Sequence, residues 1–123
     1  MHDAPSAKEL VEAVKSFIDN TAMTQLTGHA AFHARVASNA LATVLREMEQ
    51  RPAAEADERT RLQALLNSQE TDVGALNRAL CEEIQAGRVD LTTPSLLTHL
   101  KSTTIDQLSV DQPGYSGLRT AAR

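Results

Sequence analysis

The apolar positions of the chain recur at helical spacing, segment after segment. Pro5 and then Ser6, three residues before Glu9, form a capping-box signature, in which each side chain serves an amide of the other's turn. Leu10, Val11, Val14, Phe17 and Ile18 follow on one side, within about 120° of each other. Lys8/Glu12 and Lys15/Asp19 stand four apart on the other side. This predicts a one-faced helix ending near Asn20 or Thr21, then a link over 21–28 with room for an extra turn carrying Met23 and Leu26.

A second helix is expected over 29–50, stopping before Pro52, because the residue preceding a proline is pushed out of the helical region. Its apolar residues, Phe32, Val36, Ala37, Ala40, Leu41, Val44, Leu45 and Met48, sweep an arc of roughly 220°. So wide an arc implies cover on more than one side, as the central helix of the fold or one that also forms a subunit interface. A third helix over 53–67 carries the acid-first pairs Glu55/Arg59 and Asp57/Arg61 and an anchoring patch of Leu62, Leu65 and Leu66. Thr71-Asp72 caps a fourth, with the stripe Val73, Leu76, Leu80, Ile84 and with Gly87 to end it. Thr93 as cap and Pro94 at the first position open a fifth, bearing Leu96, Leu97, Leu100, Ile105 and Leu108. No segment alternates long enough to be a strand, and no internal repeat is evident. The fold class is therefore all-α: a single-domain bundle of about five helices with a central apolar second helix, residues 1–112, followed by a mobile C-terminal tail, 113–123.

With 123 residues, 41% hydrophobic and 23% charged, the chain suits one globular domain. It has two Phe, one Tyr and no Trp, so the core must be aliphatic and stacking platforms for nucleic acid are scarce. A net charge of −4 argues against nucleic acid as well. No apolar run is long enough for a membrane span and no leader is evident, which makes the cytoplasm the expected location.

Candidate chemistry is sparse. His29 and His33, four apart, can present two imidazoles to one metal ion, but Glu47 is too far along the helix to be a third ligand. His33 falls inside the apolar arc and reads as a hydrogen-bonded core or interface histidine. Arg35 and Asn39, also four apart, can together bind a carboxylate or phosphate, or brace a neighbouring helix. Arg46 lies on the same polar flank. The single cysteine, Cys81, beside the fourth helix's stripe, reads as a small, partly buried apolar residue. His99 faces away from the fifth helix's apolar arc and reads as a surface residue, and His2 lies in a fraying terminus. No pair of groups is arranged as nucleophile and base and no Gly-rich loop cradles phosphate, so no catalytic residue and no cofactor are expected.

The segment 32–41, FHARVASNAL, together with 3–7, DAPSA, 75–77, ALN, and 110–115, VDQPGY, resembles a bacterial family of small domains of unknown function. Members of that family are often encoded beside aminoglycoside-phosphotransferase-like kinases and acyl-CoA dehydrogenases, and some are fused to the kinase-like protein. The resemblance covers about residues 3–115. It implies a non-catalytic accessory or protein-interaction role, supporting a kinase-like or acyl-CoA dehydrogenase partner. It also places the family's polar signature at His33, Arg35 and Asn39. The wide arc of the second helix, rich in small Ala residues, adds the expectation of a homodimer. The alternative is a small-molecule site for an acyl-CoA or phosphorylated ligand at His33, Arg35 and Asn39.

Overall fold

The computed structural model describes residues 3–122, and His2 lies outside the described residues. The protein is an all-α helical bundle, and no strand occurs among the described residues. Five helices follow in order: α1 (Ala7–Phe17), α2 (Gly28–Leu66), α3 (Val73–Gln85), α4 (Leu96–Asp111) and α5 (Ser116–Ala121). A π-helical turn, Ile18–Ala22, and a short helical turn, Met23–Gln25, continue α1. The chain divides into two compact units, one ending at Glu49 and the other beginning at Gln50, and α2 contributes to both.

In the first unit the Ser6–Glu9 capping box forms as its sequence requires: the Ser6 amide donates to Glu9 Oε2 at 2.6 Å and the Glu9 amide to Ser6 Oγ at 3.2 Å. The Ser6 amide, and after it the Ser6 hydroxyl, hold the Glu9 carboxyl below its ordinary range. Lys8 stands 3.8 Å from Glu49, and Ser38 donates to Asp19, so α1 and the first half of α2 run antiparallel. The Lys15–Asp19 pair closes to 2.6 Å and Lys8–Glu12 to 4.0 Å. Among the described residues of this unit, Ser38 alone is buried.

The break expected at Pro52 does not occur: α2 runs through it as one 39-residue helix. The ring removes one amide donor, a cost of about 3 kcal/mol in a helix interior, but Pro52 is exposed and Ala53, Ala54, Glu55 and Ala56 after it are strong helix formers. Arg51 reaches across the proline to Glu55 at 3.4 Å. Arg61 meets Asp106 of α4 at 3.6 Å rather than Asp57.

The second unit holds the hydrophobic core. Leu62 of α2, Leu76 and Leu80 of α3, Val89 of the following loop and Leu96 of α4 are buried together, with Leu65, Leu66 and Val73 packed against them. Asp72 caps α3, its carboxylate accepting from the Ala75 amide at 2.7 Å. Both α2 and α3 end in six-residue capping turns. The Ser68 amide donates to the Gln63 carbonyl with Asn67 at φ +49°, and the Arg88 amide to the Glu83 carbonyl with Gly87 at φ +73°. The expected Thr93–Pro94 start of α4 is displaced. Both residues lie in a turn held by Asp90, whose carboxylate accepts from the Thr92 amide and hydroxyl, and Ser95 at φ +72° leads into Leu96. After Asp111 the stretch read as a tail, 113–123, contains α5, which packs on α4.

Candidate functional site

The polar signature on α2 does not converge. His33 and Arg35 are two residues apart on a continuous helix, so they project to nearly opposite sides. Arg35 and Asn39 share a side, and both side chains, like His33 and His29, are exposed. Of the core and interface readings of His33, its exposure rules out the core one. Its ring meets Phe32 edge-on, the centroids 5.5 Å apart at 72°. Arg46 donates to Thr43 Oγ1 at 3.1 Å. Among the described residues, no group of three or more His, Cys, Asp or Glu side chains could hold a metal ion. Cys81 is an exposed free thiol rather than a partly buried apolar residue.

The buried histidine is His99, only 2% exposed, where the sequence suggested a surface position. The reason lies in which side of α4 faces the core. Leu96, His99, Thr103, Asp106 and Val110 fall on one side at helical spacing, and this largely polar side turns inward. There Arg61 of α2 donates to Thr103 Oγ1 at 3.4 Å beside Asp106, and Asn77 of α3 donates to Glu58 Oε1 at 2.9 Å. Burial, then the Arg61 charge, pushes the His99 imidazole below its ordinary pKa, and Glu58 partly offsets this. Nδ1 of His99 and Nε of Arg59 and Arg61 are buried without a hydrogen-bond partner.

The opposite side of α4 is the apolar one. Leu97, Leu100, Ile105 and Leu108, with Lys101 and Thr104, face an open groove of about 560 Å³ that α5 borders through Tyr115, Gly117 and Ala121. Leu97 and Leu100 are exposed. A second apolar surface stands on the first unit. Phe32, Val36, Val44 and Met48 of α2 and Leu10, Val14 and Phe17 of α1 are all exposed. The wide arc of α2 is thus covered along one side only, the one carrying Ala34, Ser38, Leu41 and Leu45.

A family model, described as a domain of unknown function (DUF6285), matches residues 24–115, about three quarters of the chain. The chain belongs to the DUF6285 family. The matched stretch takes in all of α2, α3 and α4, and hence the inward His99 side of α4. No curated protein and no solved structure matches the chain. Among the described residues, no helix is long and apolar enough to cross a membrane.

Proposed function

We propose that this DUF6285 domain is a non-catalytic protein-interaction module. It acts in the cytoplasm and supports a kinase-like phosphotransferase or an acyl-CoA dehydrogenase. The reading is supported by the inversion of α4, whose polar side is packed inward while Leu97, Leu100, Ile105 and Leu108 face an open groove. A helix in water gains by burying its apolar stripe, at about 25 cal/mol per Å². An apolar stripe left outside therefore favours an external cover, and a trough between two helices suits an amphipathic helix of a partner. The choice of partner class rests on the family resemblance carried by 32–41 with 3–7, 75–77 and 110–115.

The test is capture from lysate of the native host with tagged protein, wild type beside Leu100→Glu. Stoichiometric recovery of a kinase-like or dehydrogenase protein by the wild type, lost in the variant, supports the proposal. Equal recovery by both moves the docking surface away from the groove. A second reading, a small acyl-CoA or phosphorylated ligand held at Arg35 and Asn39, is favoured by their shared, exposed side. Loss of ligand retention in Arg35→Ala with an unchanged melting temperature would favour it.

A further inference from the structure

Two helices alone make a poor core, and the first unit behaves accordingly: its one buried residue among those described is a serine. The geometry of the hairpin says where the missing cover belongs. Lys8–Glu49 and Asp19–Ser38, with the half-buried Val11, Lys15 and Ile18 of α1 and Ala34, Leu41 and Leu45 of α2, mark the seam between the antiparallel helices. Turning from that seam by about 90–150° on α1 meets Val14, Leu10 and Phe17. Turning in the matching sense by about 70–150° on α2 meets Met48, Ala37, Val44, His33 and Ala40. Both sets lie on the same face of the hairpin. No Asp, Glu, Lys or Arg of α1 or of residues 28–49 falls within it.

We infer that this face is the contact surface for a second copy of the chain, the two hairpins packing face to face as a four-helix bundle. The inference builds on the interaction-module reading but uses a different surface from the α4–α5 groove. Three observations carry it. Leu10 is 54% exposed, Val14 53%, Phe17 60%, Val44 44% and Met48 37%. Together these five side chains leave on the order of 400–500 Å² of apolar area per copy. A standard interface takes about 800 Å² from each partner, roughly 65% of it apolar in homodimers, so the patch would supply most of the apolar part of one. Second, two copies of a chain of net charge −4 repel each other, and a contact face without carboxylates adds no like-charge juxtaposition to that repulsion. Third, the hairpin is two antiparallel helices, and a two-fold axis through its open face completes a bundle from identical halves. Arg35 and Asn39 lie on the opposite side of α2 and stay outside the contact.

The experiment is sedimentation equilibrium of the full chain, wild type beside Val14→Glu and Val44→Glu, with helicity followed by circular dichroism. The expected result is a wild-type dimer of twice the chain mass, with each variant dissociating at roughly 100-fold higher concentration because it would bury an unpaired carboxylate against the apolar face of the other copy. Arg35→Ala should dimerise as the wild type does. If a Glu variant loses its helicity, Val44→Thr replaces it, and a dimer weakened about tenfold is then expected. A monomeric wild type, or a dimer that survives in all the folded face variants, overturns the inference. Val14→Glu should still capture the lysate partner that Leu100→Glu loses, so failure of the dimer and failure of the groove are read separately.

Discussion

Ser38, the buried residue among those described in the first unit, donates its hydroxyl proton to the Asp19 carboxylate, clasping the π-helical turn after α1 to the first third of α2. The Lys15 ammonium and then this hydroxyl hold the Asp19 carboxyl below its ordinary pKa. Removing the donor leaves a carboxylate with one partner fewer and a small gap at the seam. Ser38→Ala is therefore expected to lower the melting temperature by about 2–5 °C. The loss should shrink as the pH falls below 3.8, the ordinary Asp value, where the unfolded chain takes up the proton that the folded carboxylate resists. Thermal melts of both proteins at pH 7 and pH 3 check this.

Pro52 offers a direct test of the long helix. Inside a continuous α2 the proline withholds one amide donor, and replacing it with alanine should stabilise the protein by about 1–3 kcal/mol. Were residues 53–67 a separate helix opening near the proline, the same change would gain nothing, because proline is favoured in the first helical turn. Chemical denaturation of Pro52→Ala separates the two. A raised midpoint confirms one helix, and an unchanged or lowered one indicates a break.

Much of the local structure was legible in the sequence because its determinants are local. Ser6 with Glu9, Asp72 with the stripe after it, and Gly87 each act within one helical turn, and each does in the fold what its position implies. The side of a helix that faces the core is set by what packs against it, and this was harder to read. Residues 96–108 of α4 carry Leu on both sides of an arc that excludes His99, so counting apolar positions favours the wrong side. The signal that could have corrected it was the Leu96, His99, Thr103, Asp106, Val110 spacing, with Thr103 and Asp106 matching Arg61. Pro52 misled for the opposite reason: a strong local rule was outweighed by the helix formers after it and by Leu62 anchoring the later turns in the core. The grouping of His33 with Arg35 and Asn39 came from resemblance, and helical geometry separates His33 from the other two.

Leu62 is fully buried among Leu76, Leu80, Val89 and Leu96. Truncation to alanine removes the fully buried side chain that α2 places between α3 and α4, and the cavity cannot close around three separate elements. Leu62→Ala is expected to cost about 2–5 kcal/mol, a large share of a total that is about 5–15 kcal/mol for a domain of ordinary stability. Urea denaturation should show the drop as a lowered midpoint with an unchanged slope. Val14→Ala, on the open face of α1, should shift the midpoint far less when measured on the dissociated chain.

His99 gives the pH dependence a sign and a window. Its folded pKa is depressed, first by burial and then by Arg61, with Glu58 the one nearby charge acting the other way. The unfolded chain titrates near the ordinary value of 6.5, so below that pH it binds a proton that the folded protein refuses. The contribution of the neutral imidazole is thus complete above about pH 6.5 and declines as the pH falls through the unfolded value towards the folded one. The carboxylates lowered in the fold, Glu9, Asp19, Glu70, Glu83 and Asp90, lose their contributions only below their ordinary values of 4.5 and 3.8, a separate window. Stability measured by urea denaturation should therefore fall between pH 7 and pH 5 in the wild type and stay level there in His99→Gln, which keeps a polar side chain but cannot titrate. An equal slope in both proteins would mean that the imidazole at position 99 takes up its proton as readily in the folded state as in the unfolded one.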